Sequence, residues 1–101
     1  MSTYQDLEVA VEQWAADKGI LEKATPIAQA HKTLEEALEL AEAIRKDDDA
    51  EVVDALGDIL VTIIIQAKMQ GVKLEDCLDS AYQVIAKRKG SMISGQFVKE
   101  S

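Results

Sequence analysis

Lys32-Thr-Leu-Glu35-Glu36-Ala-Leu-Glu39 and, after a break at Asp47, Asp48 and Asp49, Glu51-Val-Val-Asp54-Ala-Leu-Gly57-Asp58 decide how this chain folds. At about 100° per helical residue, Glu35, Glu39 and Glu36 fall within an arc of about 100° on one helix face. By the same arithmetic Glu51, Asp54 and Asp58 lie within about 60° of one another on the next helix. Two helices joined by so short a link pack antiparallel, which brings the two acidic faces to one end or one groove of the pair. Six carboxylates gathered there repel one another unless a cation sits between them.

The residues around this stretch predict two long helices and a shorter one on either side. Toward the N-terminus, Leu7, Val11 and Trp14 recur at helical spacing over Ser2 to Lys18, with Val9, Ala10 and Ala15 widening the stripe; Trp14 is expected in the core. Gly19 closes this helix, and a link from Ile20 to Ala24 leads to Thr25 and Pro26, the cap and first position of the second helix. That helix presents Ile27, Ala30, Leu34, Ala37, Leu38, Ala41 and Ile44 on one face, so its acidic arc is expected to point away from the core. A solvated acidic face of this kind is also the ordinary design of a surface helix.

The third predicted helix starts with Asp48 as cap and Glu51 three residues on, as in a capping box. Its second half, with Ile59, Leu60, Val61, Ile63, Ile64 and Ile65, is apolar around most of its circumference, as suits a central helix or a subunit interface. Asp54 and Asp58 stand at the edge of that segment, where a buried carboxylate needs a metal, a basic partner or solvent. Gly57 beside them would let another backbone or a ligand approach. Gly71 ends this helix, and Leu74, Leu78, Ala81, Tyr82, Val84 and Ile85 set the apolar face of a fourth. Lys87, Arg88 and Lys89 crowd its last turn, either as complements to the helix dipole or as a phosphate clamp. From Ser91 to Lys99 the sequence alternates around Ser94-Gly95, the pattern of a short β-hairpin.

Composition narrows the function. A chain of 101 residues is expected to form one domain over residues 1–101, with a core so small that oligomerisation would relieve it. The net charge of −8 argues against nucleic acid or an anionic membrane as partner and favours divalent cations or substrates that arrive with them. Cys77 is the one cysteine, so no intramolecular disulfide forms; with no signal peptide and no apolar run of spanning length, a cytoplasmic location is expected. His31 stands alone as an exposed helix residue, and no His/Cys metal set or Gly-rich phosphate loop is found.

Glu35-Glu36-x-x-Glu39, followed after the aspartates by Leu56-Gly57-Asp58 and a long apolar helix, resembles the MazG-like all-α nucleoside triphosphate pyrophosphohydrolases, in particular small phage and bacterial members. The resemblance runs from about Thr25 to Arg88. It implies an all-α fold of four helices, here with a short C-terminal hairpin; the apolar third helix, too large for so small a chain to enclose, adds assembly as a homodimer or homotetramer. It also implies Mg²⁺-dependent cleavage of a nucleoside triphosphate to the monophosphate and pyrophosphate. Glu36, Glu39 and Asp58 match metal ligands, Glu35 matches a residue that positions or deprotonates water, and Lys32, Lys87 and Arg88 fall at positions suited to phosphate. Two positions depart from the pattern: Ala55 stands where the family has a glutamate three residues before Asp58, and Val84 where many members have lysine. Asp54, ahead of Glu51, is the expected replacement ligand. The rival readings are a nucleotide- or metal-binding protein without catalysis and a purely structural helical dimer.

Overall fold

The computed structural model describes residues 2–100. Five helices and one hairpin follow in order: α1 (Tyr4–Asp17), α2 (Ile20–Lys23), α3 (Pro26–Arg45), α4 (Asp49–Gln70), α5 (Leu74–Ile85), β1 (Gly90–Ile93) and β2 (Gln96–Lys99). The predicted link between the first two long helices is thus itself a helical turn, α2. Each long helix starts where its sequence supplies a side-chain acceptor for the free N–H groups of the first turn. Thr3 and Asp6 form a reciprocal capping box on α1. Thr25 Oγ1 accepts from the Ala28 N–H at 3.2 Å ahead of Pro26, and Asp48 Oδ1 accepts from the Glu51 N–H at 3.1 Å. Only this half of the expected box is made at α4, because the Glu51 side chain does not return to the Asp48 N–H. Gly71, at φ 70°, closes α4 in the left-handed conformation that glycine adopts without steric cost.

α3 and α4 form the antiparallel pair on which everything else rests. Gln29, Thr33, Glu36, Leu40 and Ala43 face Val52, Ala55, Ile59, Thr62, Gln66 and Met69, all of them buried or half-buried and spaced alternately by three and four residues. A polar ladder sets the register. Gln66 Nε2 donates to the Pro26 carbonyl at 2.9 Å, Gln29 Nε2 to the Thr62 carbonyl at 3.3 Å, and Thr33 Oγ1 to Thr62 Oγ1 at 2.8 Å. Thr62 Oγ1 in turn donates to the Ile59 carbonyl at 2.7 Å. Continued one or two turns along an antiparallel pair, this register sets Asp58 level with Glu36 and Ala55 level with Glu39.

The expected orientation of α3 is therefore reversed. Its polar edge, with Glu36, faces α4, while the apolar stripe of Ile27, Leu34, Leu38 and Ile44 lies exposed, Leu38 at 72%. The reason is that the apolar stripe has no helix of its own chain to meet. α4 is the central helix: α1, α2, α3 and α5 all pack on it. Its buried Ile64 and Ile65, with Ala15 of α1, form the core, and each isoleucine contributes about 2 kcal/mol by leaving water. Trp14, expected inside, is 47% exposed, since Ala15 takes the buried position of α1. Nor does Gly57 admit a close neighbour within the chain, there being nothing within 4 Å of where its Cβ would stand.

α5 packs on α4 and is tied to α1 by Gln5 Nε2, which donates to Glu75 Oε2 at 3.2 Å, and no Cα of α5 or of the hairpin strands lies within 8 Å of a Cα in α3. The strands pair antiparallel, Met92 opposite Phe97 and Gly90 opposite Lys99. Gly90 is required there, because a Cβ would collide with the Val98 carbonyl oxygen and the Phe97 ring. A ring laid over a glycine in this way is a known device for stabilising a short sheet. Among the described residues, no Cα of the hairpin strands lies within 8 Å of a Cα in any helix.

Candidate metal centre

Glu36 and Glu39 come from the middle of α3, one turn apart, and Asp58 from α4 at the level the ladder dictates. Oxygens of these three carboxylates all lie within 4.8 Å of one another. Among the described residues they form the one group of three or more acidic, histidine or cysteine side chains that approach this closely. Glu36 is half-buried in the seam, while Glu39 and Asp58 open to solvent. One Glu36 oxygen, Oε2, is fully buried with no hydrogen-bond partner, an expensive arrangement for a carboxylate unless something else satisfies it.

The electrostatics agree. The Glu36 carboxyl is held above the ordinary value of 4.5, first because Glu39 faces it closely enough to share a proton, then by burial. Repulsion from the Glu39 and Asp58 charges adds to the effect, and Lys32 weakly opposes it. A cation placed among the three oxygens would remove each of these penalties. The donor set is all oxygen and all carboxylate, which suits a hard ion such as Mg²⁺ that retains several waters, and does not suit a thiophilic metal.

The other residues singled out in the sequence are distributed unevenly. Glu35 and Lys32 are exposed and form an ion pair with each other at 3.2 Å, a turn from Glu36. Asp54 and Glu51 are exposed on α4 and lie outside the close group, whereas Ala55 is buried in the seam, 4% exposed, at the level of Glu39. Lys87 and Arg88 follow α5 and are exposed; the elements on either side of them stay clear of α3. One feature escaped the sequence reading. A cleft of about 360 Å³ runs from Glu39 past Ala43 to the α3–α4 turn and is lined by Lys46, a cation that pairs with Glu42 at 3.5 Å. Lys46 sits at the helix end, where no face periodicity could have assigned it.

An antiparallel helix pair with a three-carboxylate group at mid-length places this chain among mostly helical proteins whose clustered oxygens suit a hard cation. Comparison with known proteins is more specific: the model of the MazG nucleotide pyrophosphohydrolase domain matches residues 24–92, and the chain belongs to this family. The matched segment contains α3, α4, α5, the carboxylate group and both exposed basic residues Lys87 and Arg88. A relative in Haemophilus phage HP1, described as an uncharacterized 18.2 kDa protein in the rep-hol intergenic region, is 37% identical over 68 residues. That match takes in 67% of the present chain and 42% of the phage protein, so the chain aligns with less than half of its relative's length. No solved structure matches. No helix among the described residues is long and apolar enough to cross a membrane.

Proposed function

We propose that this chain is a single-domain, Mg²⁺-dependent enzyme that hydrolyses a nucleoside triphosphate to the monophosphate and pyrophosphate. The observation that carries this reading is the grouping of Glu36, Glu39 and Asp58 around a buried, partnerless Glu36 oxygen in a member of a nucleotide pyrophosphohydrolase family. Glu36, Glu39 and Asp58 hold the ion, and Asp54, one turn before Asp58, supports it from the solvent side. When bound, Mg²⁺ neutralises triphosphate oxygens and acidifies a water. Glu35 accepts the proton of the attacking water once Lys32 turns from it to a phosphate. Lys87 and Arg88 bind the remaining phosphate charge, since this chemistry asks mainly for alignment and charge neutralisation.

The reading includes a homodimer or homotetramer in the cytoplasm. A folded monomer of 11.0 kDa is expected to expose about 5,600 Å², but the chain exposes 7889 Å². Its radius of gyration, 15.8 Å, likewise exceeds the ~13 Å of a compact chain of this length. The excess area is of the size an obligate interface removes from each partner.

Pyrophosphate release from a panel of ribo- and deoxyribonucleoside triphosphates, with and without Mg²⁺, tests the proposal. Equimolar monophosphate and pyrophosphate from at least one substrate, only with the metal, is the expected result. Ala55, in place of a carboxylate at the level of Glu39, favours a second reading in which nucleotide and metal bind without hydrolysis. Mg²⁺-dependent thermal stabilisation with no pyrophosphate from any substrate would select it.

A further inference from the structure

The chain separates its charges by region. Residues 87–101 hold four of its eleven basic residues, Lys87, Arg88, Lys89 and Lys99, against the single acid Glu100. That arm is therefore +3, and the remaining body, with the other 18 acids and seven bases, is −11. The hairpin pairing sets Lys99 opposite Gly90 and joins the Glu100 N–H to the Lys89 carbonyl at 2.7 Å, so the arm's cations collect at the open end of the hairpin. Its apolar residues Met92 and Phe97 share one face, both more than half exposed. A two-stranded hairpin is marginal without a surface to pack on, and its own chain offers none, because α5 carries it away from α3.

We propose that the arm packs across the α3–α4 surface of a second copy, so that Lys87, Arg88 and Lys89 of one copy complete the phosphate site beside Glu36, Glu39 and Asp58 of the other. This deepens the proposed function and rests on it for the word phosphate. A second copy is the occupant the charges select: a +3 arm meets a −11 body, and two-fold symmetry satisfies both arms at once. The excess of roughly 2,300 Å² that each chain exposes over a compact chain of its mass leaves ample surface for such an exchange. The exposed apolar stripe of α3, with Leu34 and Leu38, supplies the surface that Met92 and Phe97 lack.

Two inactive variants test this by complementation. Glu36→Gln/Asp58→Asn retains the arm, and Lys87→Ala/Arg88→Ala/Lys89→Ala retains the carboxylates. Each alone is expected to lose most turnover with its helical circular dichroism unchanged. Unfolded and refolded together in equal amounts, they should regain about a quarter of the wild-type rate, since one site in four then combines an intact arm with intact carboxylates from different copies. No recovery on mixing overturns the proposal and leaves the proposed function standing, whereas wild-type activity in the arm variant overturns both the proposal and the phosphate role given to Lys87 and Arg88, leaving only Mg²⁺-dependent hydrolysis at the carboxylates.

Should the wild type hydrolyse no nucleotide, the functional reading fails and crosslinking still decides the arm. In a Cys77→Ser background, Ser91→Cys copies mixed with Glu42→Cys copies should join through a short thiol crosslinker. A chain carrying both cysteines that links within itself, while the mixture does not link, shows the arm folded onto its own body.

Discussion

The α3–α4 pair and the C-terminal region, α5 with the arm that follows it, treat their apolar residues in opposite ways. Between α3 and α4 the apolar Leu40, Val52, Ile59 and Met69 are interleaved with small or polar side chains, Ala43, Ala55, Gln29, Thr33 and Thr62, and hydrogen bonds tie the pair in register. In α5 and the arm, Leu78, Tyr82, Ile85, Met92 and Phe97 are all exposed, Leu78 at 70%. The difference teaches where each part gets its stability. Precise placement of three carboxylates needs a seam with one register, and a polar ladder specifies register more sharply than an apolar one. The arm and the outer stripe of α3 instead leave their apolar side chains exposed on the isolated chain.

The sharpest way to break this contrast is to charge the outer stripe. Leu34→Asp/Leu38→Asp alters side chains that are exposed in the isolated chain, where such changes stay within about ±0.5 kcal/mol each. If those side chains are interface, the double variant should sediment as a monomer at low micromolar concentration and melt well below the wild type. An unchanged sedimentation coefficient and melting temperature would show the stripe to be an ordinary wet surface. Ile64→Asp discriminates in the other direction: Ile64 is buried within its own chain, so that variant should unfold rather than merely dissociate.

Charge removal at the seam comes next in size. Glu36→Gln, Glu39→Gln and Asp58→Asn should each lower Mg²⁺-dependent hydrolysis by about 100-fold or more, as loss of a charge-stabilising group at a reacting centre does. Without metal, each should melt at or above the wild-type temperature, because a mutual repulsion has been removed. Near-normal turnover of all three at limiting Mg²⁺ would refute the site. Arm variants such as Phe97→Asp should leave the metal-free melting of the α3–α4 pair less affected than its assembly.

What the sequence disclosed follows the same division. Local signals were legible because they act over a few residues: Thr25-Pro26 starting α3, Asp48 starting α4, Gly71 ending it, and Ser94-Gly95 turning the hairpin. The group of Glu36, Glu39 and Asp58 was legible from spacing and from the family resemblance together. The facing of α3 was not. Periodicity finds the most apolar stripe and assigns it to the core of the same chain, whereas here α4 takes the stripe bearing Gln29, Thr33 and Glu36. The same assumption misplaced Trp14, as a large aromatic ring says that a face is apolar without saying which chain covers it.

Position 54 tests the finer structure of the seam. Asp54 is exposed and stands outside the close group, one turn from Asp58 on the same helix, where its carboxylate would support an ion held by Glu36, Glu39 and Asp58. Asp54→Asn should raise the Mg²⁺ concentration for half-maximal activity by about tenfold, the lower end of the range for groups that support a ligand. Glu51→Gln should change neither activity nor stability, because the Glu51 side chain does not complete the capping box; Asp48→Ala, which removes the cap itself, should cost about 1 kcal/mol. Ala55→Glu in the Asp54→Asn background puts a carboxylate at the level of Glu39 and should recover part of the Mg²⁺ affinity. Equal and negligible effects at 54 and 51, with no rescue from 55, would leave Asp58 as the only contribution of α4.

The smallest expected effect is a change of slope with pH, and it separates the seam's own strain from that of the arm. Glu36 titrates above 4.5 in the folded protein, through its shared proton with Glu39, its burial and its acidic neighbours. A carboxyl whose folded pKa is raised binds its proton more tightly in the native than in the unfolded chain. It therefore adds stability that is fully present below the unfolded value and is lost as pH rises through the folded value. Metal-free wild type should lose melting temperature over that interval relative to Glu36→Gln, which has no proton to lose, and the difference between the two curves isolates Glu36 from the chain's other acids. Saturating Mg²⁺ should remove the difference from the high-pH side, because the ion replaces the proton among the same oxygens. The triple arm variant, which leaves all three carboxylates in place, should keep the wild-type slope. Parallel melting curves for wild type and Glu36→Gln without metal would mean that Glu36 carries no penalty in the seam, and the argument for an ion from its buried oxygen would lose its electrostatic half.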